Sequence, residues 1–140
     1  MSLVLLQPLV FVAVSEPMLG RAVSVDEYGG LDTFAVDRPL RVRFVTNELQ
    51  SLCPAVPGIQ PDIYEATIEY TALTHAIESK SLKLWLVTFR DRRIFAEHLA
   101  IEMYDTVAAL APQVGDIAIF LRQNTRGGIV TEVSFPVPQA

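Results

Sequence analysis

The sequence predicts an α+β domain in which an antiparallel sheet carries two helices on one face. Three observations predict it. Apolar and polar residues alternate over Pro39–Thr46 and again from Asp62 to Tyr70, the period of half-buried strands. From Leu82 to Leu110 the apolar positions instead recur at helical spacing. Strand-like runs then return over Val114–Leu121 and Ile129–Phe135. The expected order is strand, strand, helix, helix, strand, strand, with no internal repeat and no linker.

Taken in order, the chain opens on an apolar run from Leu3 to Val14 that Pro8 interrupts. At about a dozen residues it is too short to span a membrane, which takes roughly 20, and no basic leader precedes it as a secretory signal would require. It reads as a buried strand or as an arm on a neighbouring subunit. Ser15 to Asp37 holds Pro17, Gly20 and Gly29-Gly30 without a sustained period, and reads as loop with room for one short strand. Residues 1–37 are therefore expected to be an N-terminal extension and 38–140 a single domain.

In the first long strand Leu40, Val42 and Phe44 face one way, Arg41 and Arg43 the other. In the second, Tyr64, Ala66, Ile68 and Tyr70 oppose Glu65, Thr67 and Glu69, so the pair forms an antiparallel hairpin with an elaborated loop. Leu82, Trp85, Leu86 and Phe89 form one helical stripe. Ala96, Leu99, Ala100, Met103, Val107 and Leu110 form a second, with Pro112 beyond its end. His75 reads as exposed in a polar connection. With helices on one face only, the outer strands are bare edges that must be capped, covered or joined to another copy, and a closed ring of protomers is expected.

Composition narrows the function. The chain has 140 residues, 51% of them hydrophobic, which suits one domain with its own core. A net charge of −5 excludes extended nucleic-acid binding, because that needs a basic face. The single cysteine excludes an internal disulfide and any multi-cysteine metal site, and fits a soluble protein of the reducing cytosol. No metal is expected, since His75 and His98 are the only imidazoles.

The chemistry concentrates around that cysteine. Cys53 lies in a loop stiffened by Pro54, Pro57, Gly58 and Pro61, and the loop closes on Asp62. A thiol held near an acid is a nucleophile layout, since the thiolate attacks and the attacked group needs a proton. A small buried hydrophobe in a turn is the plainer reading of a lone cysteine. Glu78-Ser79-Lys80-Ser81-Leu82-Lys83 begins a helix, where serines and lysines can seat an anion or simply cap a solvated helix end. Glu97 could accept the paired N–H groups of a guanine-like edge, or merely favour a first helical turn. Arg126 on the turn Gly127-Gly128 could meet a phosphate, or mark an ordinary hairpin.

Together these clusters resemble a family. Glu48-Leu49-Gln50-Ser51-Leu52-Cys53-Pro54, Gly58, Gln60-Pro61-Asp62, the Glu78–Lys83 block, Phe95 with Glu97, and Arg126-Gly127-Gly128 follow the order seen in the 7-cyano-7-deazaguanine reductases. These are the NADPH-dependent nitrile reductases of queuosine biosynthesis, a tRNA modification pathway. The chain is similar to the short, single-module form, with a tunnelling fold, over about residues 40–135. The resemblance implies that Cys53 attacks the nitrile carbon to give a thioimide and that Asp62 protonates the nitrogen. It implies substrate binding by Glu97, Glu78 and Ser79, and NADPH binding by Lys80, Ser81, Lys83, Arg126 and Gly127. It further implies a cytoplasmic homo-oligomer, one ring or two stacked, with sites at subunit boundaries.

Two departures stand against the family pattern. The stretch from Cys53 to Asp62 runs two residues longer than Cys-Pro-x-Thr-Gly-Gln-Pro-Asp. Ala96 stands where the family has histidine before the glutamate, and His98, two residues on, is rotated by about 200° along a helix. Two other outcomes therefore stand beside the reductase: an amidine-forming relative that admits ammonia to the thioimide, as in archaeosine synthesis, and a non-catalytic deazapurine or pterin binder.

Overall fold

A computed structural model of the protein describes residue 22 and residues 25–56 and 61–139. The apolar run Leu3–Val14 and residues 57–60 of the long Cys53–Asp62 loop lie outside the described residues. The elements are β1 (Thr33–Ala35), β2 (Leu40–Ser51), β3 (Asp62–Ala72), β4 (His75–Ile77), α1 (Ser79–Val87), α2 (Ala96–Ala108), β5 (Val114–Arg126) and β6 (Ile129–Phe135). The four long strands form one antiparallel sheet in the order β2-β3-β5-β6. The short strands β1 and β4 pair in a separate antiparallel ribbon. His75 belongs to that ribbon and is half-buried, its Nδ1 sharing a 2.9 Å hydrogen bond with Thr74 Oγ1.

The register explains the core. Val42 lies opposite Tyr70, Phe44 opposite Ile68, Ala66 opposite Leu121 and Ile68 opposite Ile119. These alternating residues therefore share the face that the helices cover. Leu99, Ala100, Met103 and Val107 of α2 are fully buried against it, and Leu82 and Trp85 of α1 nearly so. Each large side chain buried this way contributes about 1.5–3 kcal/mol. Both helical stripes thus bury most of the residues that their spacing selects; Leu86 and Leu110 are only partly covered, and Leu110 lies past the end of α2.

The opposite face of the sheet is polar. Arg43 Nε meets Glu69 Oε1 at 3.0 Å, and Arg41 meets Glu69 Oε2 and Asp116 Oδ2 at 3.3 Å each. Pairs this exposed contribute at most about 1 kcal/mol each. What they do is keep a broad sheet surface wet. The two edges are different, since Leu40 and Val45 on β2 and Ile129 and Val130 on β6 leave apolar side chains exposed.

Candidate active site

Two irregularities in the ladder aim the candidate residues. In β2, Thr46 pairs with Ala66 and Leu49 with Tyr64, so Asn47 and Glu48 together oppose Glu65 alone. This bulge reverses the alternation. Leu49 and Ser51 turn toward the helices, both fully buried, where unbroken pairing would have turned them out. In β5, Gln123 pairs with Thr131 and Arg126 with Ile129, so Asn124 and Thr125 oppose Val130 alone. Asn124 Oδ1 accepts from the Ile63 N–H at 3.3 Å, tying that bulge to β3. The shift brings Arg126 onto the same face as Gln123. The turn beyond it, Gly127 at φ 57° and Gly128 at φ 79°, is left-handed at both positions, as a two-residue hairpin requires.

These two devices converge on Asp62, which is 4% exposed and pairs with Ser51 across the ladder. Arg126 Nε lies 3.5 Å from Asp62 Oδ1 and has no hydrogen-bond partner, although it is buried. The sequence pointed Arg126 at a cofactor phosphate; in the fold it stands beside the candidate acid.

Cys53 is placed by backbone pairing. The Leu52 N–H donates to Arg92 O at 2.8 Å, and the Ile94 N–H donates to Leu52 O at 3.1 Å. The chain entering α2 is thereby laid beside Cys53, which is half-buried. Phe95 caps α2 in an extended conformation without a side-chain hydrogen bond, and Glu97 follows in the first turn, exposed. Ala96 is buried in the α2 stripe. His98 is exposed, its ring 6.3 Å from that of Phe95.

Tyr64 reports that these groups gather. Burial pushes its phenol up to about 12, a hydrogen bond with Ser51 acts the other way, and the acidic groups of Asp62, Glu97 and Cys53 raise it further. One buried hydroxyl thus feels all three candidate groups. Sequence reasoning assigned Tyr64 to the strand core and passed over Ser51. Among the described residues, no group of three His, Cys, Asp or Glu could hold a metal ion.

The Glu78–Lys83 block sits elsewhere in the same chain. Glu78 is 2% exposed and its carboxylate caps α1, accepting from the Lys80 N–H at 2.8 Å and the Ser81 N–H at 2.9 Å. Ser81 Oγ donates to Glu78 O and accepts from the Asp32 N–H. Glu78 and Ser81 are therefore committed to building the helix start. Ser79 and Lys83 line a groove of about 310 Å³ between α1 and β2, with Arg90 and Glu48 at its polar margin and Phe44, Leu82 and Leu86 as walls. Lys80 is half-buried beside it in sequence. The adjacent Ile77 N–H donates to Tyr70 Oη, eight positions along β3 from Asp62, or about 26 Å of strand. Within one chain the structure gathers Cys53, Asp62, Glu97 and Arg126, and does not bring the Glu78 end to them.

Comparison with known proteins gives the chain a family. The family model for QueF-like protein matches residues 61–139. The NADPH-dependent 7-cyano-7-deazaguanine reductase of Frankia casuarinae is 41% identical over 106 residues, covering 74% of this chain and 82% of that protein. The protein of the same name from an Anaeromyxobacter species is 37% identical over 103 residues, covering 70% and 78%. Among solved structures, the archaeosine synthase QueF-Like in its apo form superposes with a TM-score of 0.61 at 25% identity, covering 70% of this chain and 96% of that one. The match is to the tunnelling fold that the family resemblance had implied. A family model spanning more than half of the chain, with relatives this similar over most of their length, makes the protein a member of the QueF-like family.

Proposed function

We propose that this protein reduces the nitrile of 7-cyano-7-deazaguanine to the aminomethyl product with NADPH, through a thioimide on Cys53. The observation that carries the reading is the gathering of Cys53, Asp62 and Glu97 around one end of the sheet. The names of the Frankia casuarinae and Anaeromyxobacter relatives support it. A nitrile carbon is a weak, soft electrophile, and a thiolate suits it. As the Cys53 sulfur bonds to carbon, a π pair of the C≡N bond moves to nitrogen, and Asp62 delivers the proton it needs. Glu97, exposed at the start of α2, accepts the N–H edge of the deazaguanine ring and orients it. Cys53 later departs with the bonding pair of its carbon–sulfur bond.

The groove of Ser79, Lys83 and Arg90 fits part of a dinucleotide, with apolar walls for a ring and two cations for phosphate. Lys80, Lys83, Ser79 and Arg90 would hold NADPH there, with Arg126 and Gly127 meeting it from the Asp62 side. NADPH when bound would supply one hydride, so the conversion of nitrile to amine would consume two NADPH molecules in succession. Because the Glu78 end of α1 is tied to Tyr70 and not to the Cys53 cluster, the reading includes a ring in which the α1 start of one copy closes on the Cys53 end of the next. NADPH oxidation should depend on the nitrile and disappear in Cys53→Ala; oxidation that survives that change contradicts the mechanism.

Ala96 and the likeness to the archaeosine synthase favour a second reading, amidine formation. There ammonia attacks the same thioimide carbon and Cys53 leaves, with no reductant. Amidine appearing with ammonium and no NADPH would establish it, and its absence would remove it.

A further inference from the structure

Tyr64 and Ser51 form a buried hydroxyl pair that the chemistry above leaves unused. Their oxygens are 3.0 Å apart, and the residues are 1% and 0% exposed. Phenylalanine and alanine would fill the same positions without any polar group to satisfy, so the fold alone does not ask for the pair. Its place is specific. Ser51 stands two residues before Cys53 and directly opposite Asp62, and Tyr64, two residues after Asp62 and opposite Leu49, is its diagonal neighbour on the adjacent strand. Between Ser51 and Cys53, Leu52 has both its N–H and its carbonyl fixed to the segment that enters α2. The backbone leading to the thiol from β2 is therefore held at Leu52, and the hydroxyl bond links the side chains of β2 and β3 beside it.

We propose that Tyr64 and Ser51 are positioning residues, whose hydrogen bond clamps the end of β2 onto the start of β3 and so sets the separation between the Cys53 thiol and the Asp62 carboxyl. Neither touches the ligand; both act through those two groups. Burial keeps the Tyr64 phenol protonated across the neutral range, so it stays available as a donor. Two reacting groups lose rate steeply when displaced by even an ångström, which is why one hydroxyl there matters more than its share of stability. The inference rests on the nitrile reading for one of its two readouts only.

The test uses Tyr64→Phe, Ser51→Ala and the double variant, each checked for folding by its melting curve. At saturating 7-cyano-7-deazaguanine, both single variants should form the covalent adduct about tenfold more slowly with unchanged concentration dependence. The double variant should be no slower than the slower single, as for two halves of one bond. Adduct formation within about twofold of the unmutated rate in both single variants, or a loss confined to the concentration dependence, overturns the proposal. If the unmutated protein forms no adduct, the nitrile reading is what fails. The clamp is then decided by the pH–rate profile of Cys53 alkylation with iodoacetamide. A midpoint displaced by about half a unit or more in both variants supports it, and superimposed profiles overturn it.

Discussion

Tyr64 links stability and chemistry at the scale of a single residue. Burial pushes its phenol up to about 12 in the folded protein, whereas an unfolded tyrosine titrates near 10. Between those values the unfolded chain has released a proton that the folded chain keeps, so alkali favours unfolding. The contribution, on the order of 2–3 kcal/mol, is complete below pH 10 and lost as pH rises toward 12. Burial raises Tyr70 and Tyr28 in the same direction. Urea unfolding at a series of alkaline pH values should show stability falling across that window, and falling less steeply in Tyr64→Phe. An unchanged slope in the variant would assign the fall to the other tyrosines. Residue types explain what was readable beforehand. Cys53, Asp62 and Glu97 were legible because a lone thiol in a proline-rich loop closes on an acid, and because these residues follow the motif order of the reductase family. Tyr64 was not, because a tyrosine in an alternating run looks like any other core residue. Capping was legible at the Glu78–Lys83 block but was given to its serines; the Glu78 carboxylate is the cap, and the Asp32 backbone that accepts from the Glu78 N–H is brought to it only by the tertiary fold.

At the scale of elements, the two bulges do more for the site than any regular stretch. The helical stripes and the Asp62 and Ile129 strand starts followed from spacing alone, since burial enforces period and turn residues mark the ends. The sequence reading ended the first strand at Thr46 and the third at Leu121, where alternation fails. In the fold both continue, to Ser51 and Arg126, through bulges that change phase. A phase change erases the pattern that would announce it, so Ser51 and Arg126 could not be placed beside Asp62 from spacing. The β5–β6 turn holds the second bulge at its end. Gly128→Ala forces a side chain into the left-handed region and should cost about 1–2 kcal/mol. Because Arg126 directly precedes that turn, activity should fall further than stability does. A loss of stability with full retained turnover would separate the turn from the site.

At the scale of the whole molecule, the chain reads as two partial sites on one scaffold. Cys53, Asp62, Glu97 and Arg126 occupy one end of the sheet, while the α1 start is tied to Tyr70, eight positions along β3 from Asp62. In the proposed ring, the exposed apolar edges of β2 and β6 are where copies would join, with Ile129 66% exposed on β6. Ile129→Lys is expected to lower the assembly state in sedimentation velocity and to abolish nitrile-dependent NADPH oxidation together. Smaller assemblies with full activity would mean that one chain suffices. The most direct test of the central claim is the intact mass of the protein after mixing with 7-cyano-7-deazaguanine, without and then with NADPH. The account predicts a gain equal to one nitrile molecule, absent in Cys53→Ala and cleared when NADPH is added. No gain in the unmutated protein would contradict it.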